Sequence, residues 1–210
     1  MPHKILITGS ILNSICPNLT AQRAARIAEL IDSIAPGYQM NDIDILHEFI
    51  AQVAHESGSF RLKCENLNYS AAGLLKTFGS KYFNTVSATK FARQPEKIAN
   101  YVYGGRMGNN QPGDGWKYRG SGFIQITGKD MSEKYSAYSK NPDPDKLMEC
   151  VRTDDWWAMD SACWLFAVEK GLIDEAINDD FKTITKKING GYNGFQDRQW
   201  YYERAKKFLV

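Results

Sequence analysis

Two glutamates, Glu56 and Glu65, lie nine residues apart in the segment QVAHESGSFRLKCENLNYS (residues 52–70). A Gly-Ser break separates them, and no single helix should cross it. A carboxyl group that keeps its proton can act as a general acid, and an ionised one can act as a general base. Their spacing alone leaves two interpretations open, a working catalytic pair or two unrelated surface acids.

The helix that carries Glu56 is predicted by its apolar spacing. It begins near Asn41-Asp42, places Leu46, Phe49, Ile50 and Val53 on one face, and ends at Gly58. Glu56 therefore lies in the last turn, at the border of the apolar stripe, where we expect partial burial. Burial and the negative end of the helix dipole both favour the protonated carboxyl that a general acid needs. The alternative is a structural glutamate bonded to His55 or to a nearby basic residue.

Most other elements are also predicted to be helices. Thr20 caps a helix that stops at Pro36-Gly37, and further helices are expected at about 155–169, 180–188 and 196–208. Residues 97–128 open as a short helix and become a long Gly- and Asn-rich loop, which is a frequent location for function. The loop ends in GFIQIT, where alternation predicts an extended segment with Phe123, Gln125 and Thr127 on one face.

Composition excludes several classes of protein. With 210 residues, 43% of them hydrophobic, the chain can bury one substantial core, so we expect one domain. A net charge of +2 is too small to indicate a nucleic-acid partner. The start shows no signal peptide, no apolar run is long enough to span a membrane, and the four cysteines lack metal-type spacing. We therefore expect reduced thiols and synthesis in a cytoplasm.

The region from Lys182 to Lys207 is basic, with seven Lys or Arg residues against two acidic ones. The simpler interpretation is a solvated helix face. The alternative is weak contact with a membrane or an anionic envelope polymer.

Four motifs together resemble glycoside hydrolase family 19, and within it the compact phage-type endolysins. They are AHESGSF, ENLNYSAAGLLKTF, IANYVYGGRMGNNQPGDGWKYRGSGFIQITG and INGGYNGFQDR, in the order and approximate spacing of that family. The resemblance covers about residues 20–208. It implies a mainly α, lysozyme-like helical domain with a small irregular or β segment beside the cleft. Residues 1–210 would form a single catalytic domain, with 1–19 as an N-terminal extension packed on it and no separate wall-binding domain.

The resemblance also implies roles for individual residues. Glu56 matches the general acid and Glu65 the general base of an inverting reaction, while Thr127 matches the hydroxyl that holds the attacking water. Such a reaction needs carboxyl groups about 6.5–9.5 Å apart, so the turn at 57–59 must fold the chain back. The residues expected to contact substrate or line the cleft are Gln125, Asn189, Arg198, Tyr118 and Tyr69.

The implied substrate is peptidoglycan, cleaved at β-1,4 bonds by a monomeric muramidase that needs no metal or cofactor. Its route to the wall would be a separate membrane-permeabilising factor. Chitin oligomers and an inactive glycan-binding module are the alternatives. The family usually has an Asn-Tyr pair where this chain reads KDMSEKY (129–135), which puts individual sugar subsites in doubt.

Two other enzyme classes have weaker support. In a zinc protease the second histidine of HExxH would fall at Ser59, and the chain has only His3, His47 and His55. A cysteine peptidase would use Cys64 with His55, but no nearby segment supplies an orienting group.

Overall fold

The computed structural model describes residues 6–210; His3 lies outside them. The chain is mainly helical, with 63% helix and almost no strand, as predicted. In this described part the α-helices are α1 Gly9–Ile15, α2 Ala21–Ile34, α3 Ile43–Glu56, α4 Ala71–Phe78, α5 Thr85–Phe91, α6 Pro95–Tyr103, α7 Asp114–Lys117, α8 Lys129–Tyr138, α9 Pro144–Thr153, α10 Asp155–Trp164, α11 Ile173–Ile177, α12 Phe181–Asn189 and α13 Phe195–Phe208. A 3₁₀ turn, Ala35–Tyr38, and a π-helical turn, Leu165–Glu169, complete the helical elements.

The helix ends follow the capping signals in the sequence. Thr20 accepts a hydrogen bond from the Arg23 amide at the start of α2, and Asp42 accepts one from the Asp44 amide at the start of α3. The predicted boundaries of α2, α3, α12 and α13 are confirmed to within a few residues. Across residues 6–210 each helix is too short or too polar to cross a lipid bilayer.

The chain divides into two compact units. The first comprises the described part of Met1–Lys63, with Gly122–Gln125 and Cys150–Val210. Its central helix is α3, in which every residue from Ile45 to Ala54 is buried. This helix packs against α11, α12 and α13, and Phe49 meets Phe166 edge to face with ring centroids 5.5 Å apart. The helix that carries Glu56 is therefore surrounded by its own unit.

The second unit comprises Cys64–Ser121 and Ile126–Glu149. Its core is built from α4, α5 and α6, around the buried residues Leu67, Leu74, Phe83, Ala88, Ile98, Ala99 and Val102. Glu65 belongs to this unit. Each unit combines separated segments of the chain.

The prediction of an extended GFIQIT segment is wrong. Ser121 and Ile126 form an antiparallel bridge with paired hydrogen bonds of 3.0 and 2.8 Å, so residues 122–125 make a tight turn. Gly122 lies at φ +90°, a conformation that glycine adopts without strain. Phe123, Ile124 and Ile126 are all buried, whereas alternation would bury only one face. Burial of these three apolar side chains outweighs the period-2 pattern, and Gln125 sits in the turn.

Glu48 is an unpaired acid in the core of the first unit. Its side chain is fully buried in α3, and none of the described residues hydrogen-bonds either carboxyl oxygen. Burial raises the pKa of Glu48 to about 8. The nearby negative charges of Asp179, Asp180 and Asp44 act in the same direction, and Lys206 opposes them.

The protonation of Glu48 predicts a loss of stability as pH rises. Between about pH 5 and 8 the folded protein holds a proton that the unfolded chain has released, so the free energy of unfolding falls through that window. Glu48→Gln removes this titration. We expect it to raise the free energy of unfolding by roughly 3 kcal/mol more at pH 8 than at pH 5, since each unit of pKa shift is worth about 1.4 kcal/mol.

Urea unfolding at the two pH values measures this effect. Glu29→Gln is the control, because Glu29 is an exposed acid of the same unit. Equal stability changes at both pH values in Glu48→Gln would contradict the prediction.

Candidate active site

Glu56 is the last residue of α3, where it forms an ion pair with Arg198 of α13. The Glu56 side chain is 23% exposed, so the partial burial predicted from the sequence is confirmed. The guanidinium Nη2 of Arg198 donates to Glu56 Oε1. This contact places a guanidinium cation directly against the Glu56 carboxyl group. The basic partner that the structural alternative required is therefore present, and it is Arg198 rather than His55.

Arg198 is held by a buried polar network. Its side chain is 1% exposed, and Nη1 donates to Gln52 Oε1 at 2.7 Å. Gln52 is itself buried and donates to Thr185 Oγ1 at 3.0 Å. A buried cation is tolerated only when its donors are satisfied. The acid is thus coupled to a fixed guanidinium on the core side and remains partly open on the other.

His55, the residue before Glu56, contacts the acid Asp197 rather than Glu56. His55 Nδ1 lies 2.6 Å from Asp197 Oδ2, one residue before Arg198 in the chain. Gly194, the N-cap of α13, allows this approach: a Cβ atom there would lie 2.3 Å from His55 Cε1, and its φ is +71°. Glycine is the residue that satisfies both conditions. Adjacent residues of α3 are therefore clamped to adjacent residues of α13.

In the second unit Glu65 is held by two donors. Tyr103 Oη, at the end of α6, donates to Glu65 Oε1 at 2.6 Å, and the Gly120 amide donates to Oε2 at 3.3 Å. The Glu65 amide also donates to the Gly120 carbonyl at 3.0 Å. Burial is the main cause that raises the pKa of Tyr103, and the Glu65 charge and hydrogen bond add to it. Tyr103 therefore keeps its proton and acts as a permanent donor.

Asn109 fixes Tyr103 from the Gly-rich loop. The Asn109 side chain is buried; its Nδ2 donates to the Tyr103 carbonyl at 3.0 Å, and its Oδ1 accepts from the Lys129 amide at 3.0 Å. Neither Tyr103 nor Asn109 was predicted from the sequence as a site residue. The available signal was the density of Asn and Gly in a loop predicted to be functional, since an asparagine amide can bridge two backbone segments.

The break between the two glutamates is a left-handed turn. Gly58, Ser59 and Phe60 have φ values of 56°, 62° and 54°. Non-glycine residues in this region cost about 1–2 kcal/mol each. Phe60 is held by the Phe123 ring, with centroids 5.7 Å apart, and Ser59 Oγ lies 2.8 Å from Tyr201 Oη. The predicted turn after Glu56 is present, and two strained residues in it are anchored by side-chain contacts.

The remaining predicted residues differ in their availability. Gln125 and Thr127 are half-buried, and none of the described residues hydrogen-bonds their side chains. Asn189 ends α12, and its Nδ2 donates to the Asn193 carbonyl at 3.4 Å. Tyr69 is half-buried and packs edge to face on Phe78. Tyr118 is only 3% exposed and its hydroxyl donates to Asp145, so its ring offers a substrate little surface.

Comparison with known proteins places the chain in a family. No family model matches the sequence. A curated protein of Haemophilus influenzae (strain ATCC 51907 / DSM 11121 / KW20 / Rd), named a glycosyl hydrolase family 19 domain-containing protein, is 41% identical over 152 residues. The match covers 71% of this chain and 72% of the relative. The chain belongs to glycosyl hydrolase family 19. It is thus a glycoside hydrolase, and its reaction is the cleavage of bonds in glycans.

Membership of family 19 gives the two glutamates a chemical context. A glycoside hydrolase needs a proton donor for the leaving oxygen and, in most families, a second carboxylate. In this chain each glutamate accepts a hydrogen bond from another side chain: Glu56 from Arg198, and Glu65 from Tyr103. The zinc-protease and cysteine-peptidase interpretations have no support from this comparison.

Proposed function

We propose that this family 19 hydrolase is an endolysin-type muramidase, which cleaves the β-1,4 bonds of peptidoglycan with inversion. The observation that carries the proposal is that Glu56 and Glu65 are each held by donors of contrasting kind. Glu56 is paired with a buried cation, and Glu65 accepts hydrogen bonds from a neutral hydroxyl and a backbone amide. Two carboxyl groups in different environments are the usual basis for separate acid and base roles.

In this mechanism Glu56 protonates the leaving glycosidic oxygen. Arg198 then stabilises the carboxylate that remains, which favours release of the proton. Glu65 takes a proton from water as that water attacks the anomeric carbon, with Thr127 holding the water. Tyr103 and Gly120 each occupy one lone pair on the two Glu65 oxygens, so lone pairs remain to accept from water.

Tyr103→Phe tests the positioning of the base. The substitution removes the 2.6 Å hydrogen bond to Glu65 and leaves the ring in the core of the second unit. We expect kcat to fall roughly ten-fold with little change in KM, since a hydrogen bond to a charged group is worth about 1.5–3 kcal/mol. Tyr82→Phe is the control, a tyrosine of the same unit that does not touch Glu65. Unchanged kcat in a folded Tyr103→Phe protein would remove Tyr103 from the mechanism.

Mass spectrometry of borohydride-reduced digestion products tests the function itself. We expect purified peptidoglycan to yield reduced muramic-acid ends. Reduced glucosamine ends would instead indicate a glucosaminidase, and anhydro ends a lytic transglycosylase in which water plays no part. Absence of released glycan from folded protein would favour the two alternatives, a chitinase or an inactive glycan-binding module, which chitin oligomers separate.

The endolysin role also includes localisation and envelope contact. We propose that the hydrolase is made in the cytoplasm and reaches the wall after a separate factor permeabilises the membrane. Finding it mostly outside the inner membrane of intact producing cells, without such a factor, would contradict this.

The basic C-terminal region offers less free charge than its sequence suggests, because several cations are engaged within the first unit: Arg198, Lys187, Arg204 and Lys206.

A further inference from the structure

An open pocket of about 620 Å³ lies in the first unit. It is lined by Lys182, Tyr192, Gly194, Phe195, Gln196 and Asp197. Asp197 belongs both to this pocket and to the contact with His55, the residue before Glu56. The pocket is therefore one side chain away from the helix end that presents the proposed proton donor.

Lys182 gives the pocket a positive charge. Its ammonium nitrogen lies 5.5 Å from the centroid of the Tyr192 ring, within the range of a cation–π contact. Tyr192 is 46% exposed and in turn packs edge to face on Phe195. None of the described acidic residues forms an ion pair with Lys182. A solvent-facing aromatic ring with a cation above it suits a ligand that has both an apolar surface and a negative charge.

Two acidic residues near Lys182 are already engaged. The positive charge of Lys182 helps to lower the pKa of Asp180. The Asp180 carboxylate, however, caps α12 by accepting from the Thr183 amide at 3.1 Å. Asp197 accepts from His55 through Oδ2. Asp197 still adds negative charge to the pocket, so an anionic ligand group is expected at the Lys182–Tyr192 side.

We propose that this pocket binds the stem peptide of a muramyl residue, with a peptide carboxylate paired to Lys182. The inference rests on the proposed function and names the part of the substrate that the pocket recognises. Chitin is a neutral polymer and has no group for an unpaired lysine, whereas the peptides of peptidoglycan carry carboxylates. A site that reads this charge would separate the two glycans although both share the β-1,4 linkage.

The test compares two substrates and three variants. The substrates are peptidoglycan strands with intact stem peptides and the same strands stripped of peptide by an amidase, which hydrolyses the amide and leaves the lactyl carboxylate of each muramic acid on the strand. Lys182→Met removes the charge, Lys182→Glu reverses it, and Lys186→Met is the control from the same helix outside the pocket. The measurement is kcat/KM for each protein on each substrate, at low and high salt.

We expect the wild-type protein and Lys186→Met to prefer peptide-bearing strands. Lys182→Met should lower kcat/KM on those strands roughly two- to five-fold, as for a solvent-exposed ion pair, and Lys182→Glu should lower it further. On stripped strands, both Lys182 variants should keep the kcat/KM of the wild-type protein. High salt should reduce the wild-type preference, because it screens exposed charges.

The outcomes separate this inference from the function on which it rests. Equal losses on both substrates, or no loss in Lys182→Glu, would overturn the peptide site while leaving the muramidase proposal intact. A wild-type protein that cleaves neither kind of strand would overturn the proposed function, and the peptide site with it.

Discussion

Glu56→Gln is expected to remove nearly all turnover while the protein stays folded. Glutamine keeps the size of the side chain, and its amide oxygen can still accept from Arg198, but it has no acidic proton to give to the leaving oxygen. General acid catalysis contributes about 100- to 10,000-fold, so kcat on peptidoglycan should fall by at least the lower figure. The measurement is the rate of new reducing ends, with circular dichroism to follow folding.

Stability is the main complication for Glu56→Gln, because Arg198 is 1% exposed and would face a neutral partner. Breaking a buried pair is costly when the remaining charge is left alone. Here Gln52 still accepts from Nη1, which limits the loss. Glu29→Gln, which neutralises an exposed acid of the same unit, is the control for loss of charge. Near-normal turnover in folded Glu56→Gln would end the assignment of Glu56 as the acid.

The elements that could be predicted from the sequence are those with long apolar periods and explicit caps. α2 and α3 show both, and the structure places Thr20 and Asp42 at their first turns as caps. The prediction for GFIQIT was wrong for the opposite reason: the segment is only six residues long and begins with a glycine. Alternation over so few residues fits a strand and a bridged turn equally well, and only long-range burial chooses between them.

The partners of the two glutamates were less accessible to sequence reasoning. Arg198 lies 142 residues from Glu56 and was identified only through the family motif. Tyr103 lies 38 residues from Glu65, and no local pattern links them. One signal was available for the buried network: Gln52 and Glu56 lie four residues apart, on one face of a helix that has a long apolar stripe. Polar groups at that spacing on a buried helix indicate partners from another element.

Glu65→Gln is expected to lower kcat by about 100- to 10,000-fold through loss of the general base. The fold should tolerate it, because the glutamine oxygen can accept from the Gly120 amide and its nitrogen can donate to Tyr103 Oη. KM should change little. Glu96→Gln, at an exposed acid of the same unit, is the control for loss of charge. Unchanged kinetics in Glu65→Gln would remove Glu65 from the reaction.

Azide distinguishes loss of a base from general damage to the site. Azide attacks without giving up a proton, so it needs Glu56 to protonate the leaving oxygen but no base. In Glu65→Ala, whose shorter side chain leaves room, we expect added azide to restore cleavage of the β-linked strand. The new bond joins azide nitrogen to the anomeric carbon as the glycosidic C–O bond breaks, which gives an α-glycosyl azide by inversion. A β-glycosyl azide would contradict a single displacement. If azide restored activity neither in Glu65→Ala nor in any other variant, Glu65 would be a structural residue of the site rather than the group that activates water.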